Sequence, residues 1–422
     1  MFFTLYANYK GEVLDHPNIR MLGRSGQEWV VPREDEMIPL PKGSSLVMIP
    51  QHIPVGLNEH ERLAYFEIDP VEEGQRVYAV GALLPQGFTR TLLPACVSSH
   101  SEGNLPMLGY AAVGLKGDRI YVAAVKSDEH RKWHPVHYNT EGLPAKIEKM
   151  LRKYPANRIL KQLARCSLEY SCYTAQNIFY QRWEAGIPTF GRCNAKCIGC
   201  ISESRGGIVS PQSRIDFVPS VAEIVELAAN HLIKAKEAIV SFGQGCEGEP
   251  SLNARNLSKA IVKIREKTGR GTVNMNSNAG YTEGIKLVCD AGLDSLRVTI
   301  FSCNESNYSR YHCPVNYTFD DVRKSVSYAK SKGVVVAVNI LTFPGFTDRE
   351  EEIESLLRFI NEYEIDMIQL RNLNIDPEVL MRYFESDALG IGIPHFIEIL
   401  KKELPRVKIG SYTHPVSKKT TS

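Results

Sequence analysis

The chain has 422 residues, 43% hydrophobic and 23% charged, with 50 Lys and Arg against 48 Asp and Glu. That length accommodates one large domain plus a smaller one, and a net charge of +2 argues against a nucleic-acid binder or an acidic tail. The sequence shows neither a charged-then-apolar leader nor a long uncharged apolar run, so the expectation is a cytoplasmic protein with no membrane partner. Ten cysteines in so long a chain do not make a disulfide scaffold.

Residues 1–140 read as a β-rich accessory domain. Turn residues such as Gly11, Pro17, Gly23, Gly26, Pro41 and Gly43 separate strand candidates at 45–49, 65–68, 76–80 and 119–125. This region carries no catalytic motif, and its expected tasks are to present substrate, cover the main domain or bind a partner. His130, His134 and His137 stand in a mixed-charge run that reads as a solvated loop. Residues 141–186 read as a helical connector, with Leu151, Ile159, Leu160, Leu163 and Ala164 on an apolar stripe. Cys166 and Cys172 fall here. On one continuous helix six positions span about 240°, so the two thiols are expected on different faces, as buried packing.

From residue 187 the pattern alternates. Strands are expected at 187–191, 238–242, 272–277, 295–301, 334–341 and 366–371, and helices at 219–235, 253–268, 282–291, 318–332 and 349–363. Six β/α units with right-handed crossovers make an α/β fold, a partial (β/α)6 barrel over 187–375, with all strand carboxyl ends on one face. Residues 376–422 read as an extension: a helix near 394–404, a short strand at 407–410 and a disordered tail from 417.

The chemistry-bearing stretch is Cys193-Asn194-Ala195-Lys196-Cys197-Ile198-Gly199-Cys200. Thiolates select iron–sulfur, zinc or copper(I). A four-iron cluster usually takes four of them, so three in one loop leave one iron for a non-protein ligand. A zinc knuckle lacking its fourth ligand is the alternative, but no second cysteine pair is obvious nearby. After the second expected strand comes Gly243-Gln244-Gly245-Cys246-Glu247-Gly248-Glu249-Pro250. Its glycines allow close approach of backbone to a ligand.

The Cys-x3-Cys-x2-Cys loop, followed by Gly248-Glu249-Pro250 on the next strand, resembles the signature of the radical S-adenosylmethionine (radical SAM) superfamily. The resemblance covers about 187–375. It implies a [4Fe–4S] cluster on Cys193, Cys197 and Cys200, with SAM chelating the open iron. It further implies reductive cleavage of SAM to methionine and a 5′-deoxyadenosyl radical, which abstracts hydrogen from a peptide, protein or small-metabolite substrate. A reductant such as ferredoxin or flavodoxin and an anaerobic cell interior go with that chemistry.

Carried over residue by residue, the resemblance makes Glu249 the carboxylate that binds the methionyl amine, with Gly248 and Pro250 shaping the turn and Glu247 as the weaker choice. Asn278, then Asn276, match the polar end of the third strand; Ser302 matches the end of the fourth. Asn339 on the fifth takes a ribose role, and Arg371 ends the sixth strand toward adenine or substrate. Arg297 is a further candidate for a carboxylate. The position before the third cysteine is often aromatic in this family and is Gly199 here, so only backbone and Ile198 are left to meet the adenine. Cys246, Cys303 and Cys313, with Cys166 and Cys172, are candidates for auxiliary ligands, a hydrogen-atom donor, a substrate-linking thiol or plain packing. The competing function is an iron–sulfur electron carrier or sensor that does not cleave SAM. Nucleic acid is disfavoured as a partner, because no basic, aromatic-interleaved surface stands out.

Overall fold

The computed structural model describes the chain apart from residues 73, 100–104, 106, 108, 130, 206 and 417–422. His130 and the expected disordered tail therefore lie outside the described residues. Two compact units divide the chain: Met1–His130 with Leu341–Leu357 and Leu370–Pro405, and Arg131–Ile340 with Arg358–Gln369 and Arg406–Ser422.

The first unit is mainly antiparallel sheet. Strand Phe3–Ala7 pairs with Val13–Met21, Val113–Lys116 and Tyr78–Leu83. Its core contains Leu5, Ala7, Val80, Ala82, Ala111, Val113, Val122 and Ala124. Strands expected at 45–49 and 119–125 are found at Ser45–Met48 and Arg119–Lys126, and the one expected at 76–80 begins later, at Tyr78–Leu83. The expected strand at 65–68 is shorter, Leu63–Tyr65, followed by a single bridge between Ile68 and Arg76. The helix expected near 394–404 is Ile393–Glu403, and it belongs to this unit.

The second unit is built on a seven-stranded half-barrel sheet. Its order is Arg182–Gly186, Lys236–Phe242, Thr272–Ser277, Ser295–Ile300, Val335–Thr342, Met367–Asn372, Lys408–Gly410. The first five strands pair in parallel, and the last pairs in parallel with Met367–Asn372. Helices Val221–Lys234, Ala254–Lys267, Thr282–Asp290 and Phe319–Ser331 form the crossovers, as the alternation predicts.

Three points differ from the sequence reading. The first strand is Arg182–Gly186, not 187–191: Pro188 has no N–H to pair, and beyond the strand only Ile187 continues the ladder, donating to Ser241 O at 2.9 Å. The strand expected at 407–410 is found at Lys408–Gly410, where it adds a seventh strand to this sheet. Helix Glu305–His312 was not expected, since its sequence ESNYSRYH lacks an apolar period. The connector is three helices, Leu143–Lys153, Arg158–Glu169 and Tyr173–Tyr180, not one. Ser171 turns the backbone left-handed (φ 49°), and Cys172 N donates to Cys166 O at 3.0 Å, so the two cysteines are neighbours.

The sheet has two chemically distinct faces. Val240, Phe242, Val273, Met275, Leu296, Val298, Val336 and Val338 are buried on one, matched by Ile224, Leu257, Ile261, Ile285 and Val322 of the crossover helices. Alternation along the strands puts Glu184, Ser241, Asn274, Asn276, Arg297, Thr299, Asn339 and Gln369 on the other. These are linked: Ser241 Oγ donates to Glu184 Oε1 at 2.7 Å, and Asn274 Nδ2 to Ser241 Oγ at 3.0 Å. Among the described residues no helix is long and apolar enough to cross a membrane.

Candidate active site

The three cysteines lie in a turn gripped on both sides. On one side, Gly248 N donates to Phe190 O at 2.7 Å and Glu249 N to Arg192 O at 2.8 Å. On the other, Lys196 N donates to His312 O at 2.9 Å, Ile198 N to Tyr311 O at 3.0 Å and Val315 N to Asn194 O at 2.8 Å. The unexpected helix Glu305–His312 is thus the support of the cysteine turn.

Cys193, Cys197 and Cys200 are free thiols, each half-buried. An N–H reaches each sulfur: the Ala195 amide at Cys193, His312 Nδ1 at 3.3 Å from Cys197 Sγ and Arg214 Nη2 at 3.4 Å from Cys200 Sγ. Burial pushes the Cys193 thiol up to about 11 and holds Cys197 well above its ordinary value, with neighbouring thiolates adding repulsion. A bound metal reverses this balance, because coordination deprotonates a thiol outright.

The two acids of the glycine loop have different surroundings. Glu247 ties the loop to the chain before the cysteines. Its Oε1 accepts Thr189 N at 2.7 Å, Phe190 N at 3.1 Å and the Thr189 hydroxyl, and its Oε2 accepts Gly243 N at 2.5 Å. Burial pushes this carboxyl up to about 7, against those donors. Glu249 accepts Ser277 Oγ at 2.6 Å, Ser251 N at 3.0 Å and Asn278 N at 2.8 Å, and its charge acts on Cys193. Of the two, Glu249 is the one directed to the cysteine turn and the third strand's end.

Asn278 Nδ2 donates to Asn194 Oδ1 at 2.7 Å, placing it against the turn. Asn276 Oδ1 accepts Asn274 Nδ2 at 3.0 Å, while its own Nδ2 is buried without a hydrogen-bond partner. Asn339 Nδ2 donates to Thr299 Oγ1 at 3.1 Å, and its Oδ1 is likewise buried and unpaired. Ser302 Oγ accepts Asn304 N at 3.0 Å and so shapes the turn into Glu305–His312. Pro250 opens the short turn Pro250–Asn253, which Glu249 caps. Ile198 is half-buried and Gly199 buried, the latter bonded through its backbone to the Tyr311 side chain. Arg297 Nη1 reaches Gln369 Oε1 at 3.2 Å and Thr413 Oγ1 at 3.0 Å, as part of the polar face. Arg371 is half-buried near the end of Met367–Asn372.

The scattered cysteines separate. Cys166 and Cys246 are buried with their thiols in hydrogen-bond contact, and Cys172 lies close enough to act on both. Cys303 is buried, and Cys313 is exposed at the left-handed end of Glu305–His312. Sequence reasoning missed Asn194, Arg214 and His312. Arg214 lies outside any regular element, and His312 stands at the end of a polar stretch without periodicity, so neither carried a spacing signal.

The sequence model of the radical SAM superfamily matches residues 187–360. Residues 187–360 are thus similar to a radical SAM domain. A curated relative, GTP 3',8-cyclase of Thermodesulfovibrio yellowstonii, is 28% identical over 196 residues, covering 46% of this chain and 56% of that protein. The chain therefore spans little more than half the length of that relative. Among solved structures, methylornithine synthase (PylB) is 16% identical with a TM-score of 0.38, over 63% of this chain and 77% of that one. The FeFe-hydrogenase maturase HydG from Carboxydothermus hydrogenoformans is 15% identical with a TM-score of 0.37, over 66% and 68%.

Radical SAM enzymes bind a [4Fe–4S] cluster and SAM, and the residues present fit both. Three thiols of one turn, each met by an N–H donor, suit a cluster. The unpaired Asn276 Nδ2 and Asn339 Oδ1, one donor and one acceptor on the polar face, suit a polar ligand.

Proposed function

We propose that this chain is a radical SAM enzyme in which Cys193, Cys197 and Cys200 hold the cluster and Glu249 orients SAM through its methionyl amine. When bound, the cluster supplies one electron that cleaves SAM to methionine and a 5′-deoxyadenosyl radical, which then takes a hydrogen atom from a peptide, protein or small-metabolite substrate. The protein's part is positioning. Glu247 fixes the glycine loop to the chain before Cys193, and Glu249 joins that loop to Ser277 and Asn278. Asn278 joins the strand end to the cysteine turn. Asn276 and Asn339 present free polar atoms for the nucleoside, Ile198 and the Gly199 backbone its adenine, and the turn ending in Ser302 borders that space. The electron comes from a protein such as ferredoxin or flavodoxin.

The observation that carries this reading is the joining of one cysteine turn, one buried glutamate and one strand-end asparagine by direct hydrogen bonds. It is tested with anaerobically reconstituted protein, SAM and a strong reductant, assaying 5′-deoxyadenosine by mass spectrometry. Wild type is expected to form it and Cys197→Ala not. If the wild type holds four irons and binds SAM yet forms none, the electron-carrier reading replaces this one.

A further inference from the structure

The sulfur of Cys197 lies 3.3 Å from His312 Nδ1. The other ring nitrogen, Nε2, accepts the Phe301 amide N–H at 3.2 Å. A backbone amide only donates, so Nε2 bears the lone pair, and in the neutral ring the proton sits on Nδ1. Nδ1–H therefore donates to the cysteine sulfur. His312 is 1% exposed, and its ring is packed between Tyr308, tilted by 32° at a centroid distance of 4.4 Å, and Tyr311, edge-on at 5.0 Å, which fixes its direction.

Arg214 does the same for Cys200. Its Nη2 is 3.4 Å from the sulfur, its Nε donates to Ser202 Oγ at 3.2 Å, and Glu203 pairs with Nη2 at 2.9 Å. Three partners hold the guanidinium fork in place.

We propose that His312 and Arg214 are positioning residues that set the reduction potential of the four-iron cluster, by donating N–H bonds to the sulfurs of Cys197 and Cys200. The inference rests on the cluster reading above. One-electron reduction, from the [4Fe–4S]2+ to the [4Fe–4S]+ state, adds negative charge that spreads onto the thiolate sulfurs. A donor there stabilises the reduced form more than the oxidised one and raises the potential. Arg214 adds a positive charge, offset in part by Glu203, in a half-buried setting where screening is weaker than in water. The electron donor is a low-potential one-electron carrier, replaced in the assay by titanium(III) citrate.

The test is a potentiometric titration, read by EPR, of reconstituted wild type, Arg214→Met, Arg214→Lys, His312→Leu and His312→Asn. Arg214→Met and His312→Leu are each expected to lower the reduced-to-oxidised ratio at a fixed potential about tenfold, which is ~59 mV for one electron. Arg214→Lys and His312→Asn, which keep an N–H donor, recover most of that. A purely structural role would reduce iron content without moving the midpoint of the cluster that remains. Should His312→Leu fail to assemble, wild type grown on 15N-histidine provides the same test: a nitrogen coupling to the reduced cluster supports the proposal, and its absence overturns the His312 half. An unmoved midpoint in Arg214→Met with four irons overturns the Arg214 half while leaving the proposed function standing. A wild type that binds no four-iron cluster overturns both.

Discussion

Asn278 Nδ2 donates to Asn194 Oδ1 at 2.7 Å, so the end of the third parallel strand holds the turn between the first two cysteines directly. The same Asn278 gives its backbone N–H to Glu249 Oε2 at 2.8 Å. One residue therefore sets both the cysteine turn and the glycine loop. Asn278→Ala keeps the backbone bond and deletes two side-chain bonds, the one to Asn194 and the one its Oδ1 accepts from Gly280 N at 2.8 Å, each a loss of about 1 kcal/mol. SAM affinity, measured by calorimetry on anaerobically reconstituted protein, is expected to fall several-fold with iron content largely kept. Unchanged affinity would mean that the tie to Asn194 is idle.

Glu247 carries a prediction about stability, because both of its buried oxygens accept N–H bonds. Glu247→Gln turns one of them into an NH2 group that must face either Gly243 N–H or the Thr189 and Phe190 N–H groups. A donor buried against a donor costs about 1–3 kcal/mol. The variant is expected to melt several degrees lower than wild type and to lose iron faster under chelator. A melting temperature equal to wild type would contradict a structural role for Glu247.

How much of this was legible beforehand follows from the kind of signal each part carries. The crossover helices and five of the six expected strands showed as alternating apolar runs, because each buries one face against the next layer. The first strand was displaced because the charged Arg182 and Glu184 flank Trp183, although Glu184 is buried and bonded to Ser241. The cysteine turn and Glu249 were legible because their spacing is local. His312 and Arg214 were not, since each meets its cysteine through the fold rather than through sequence proximity. Cys166 and Cys172 were misplaced by the assumption of one straight helix, which Ser171 breaks with its positive φ.

The start of helix Val221–Lys234 carries a pH dependence. Glu223 accepts Arg158 Nε at 2.9 Å and Nη2 at 2.8 Å, and also Ser220 N at 2.8 Å, which holds its carboxyl down at about 2. A carboxylate depressed on folding contributes stability that is present above the unfolded value near 4.5 and lost as pH falls toward 2. Because the pair is partly solvated, its contribution is about 1 kcal/mol, not the full shift. Glu223→Gln is expected to lower the stability found by urea unfolding at pH 7 and to match wild type near pH 2. A difference that stays constant with pH would assign the effect to packing.

Gly248 stands where the glycine loop passes closest to the chain entering the cysteine turn. A Cβ at this position would lie 2.1 Å from Arg192 O and 3.0 Å from the Gly191 carbonyl carbon. Both are backbone atoms, so the clash cannot be relieved by moving a side chain, and the loop must lift away. Lifting breaks Gly248 N to Phe190 O and Glu249 N to Arg192 O, and it withdraws the Glu249 carboxylate from Ser277 and Asn278. Gly248→Ala is therefore expected to lose SAM binding by at least tenfold and several degrees of melting temperature. Gly142→Ala, where a Cβ meets nothing within 4 Å, serves as the control and should leave both unchanged. The requirement at Gly248 is for space and not for a positive φ, so Gly248→Ser should fail as Ala does. A Gly248→Ala protein that binds SAM like wild type would show that the loop stands off the cysteine turn and would remove Glu249 from its proposed role.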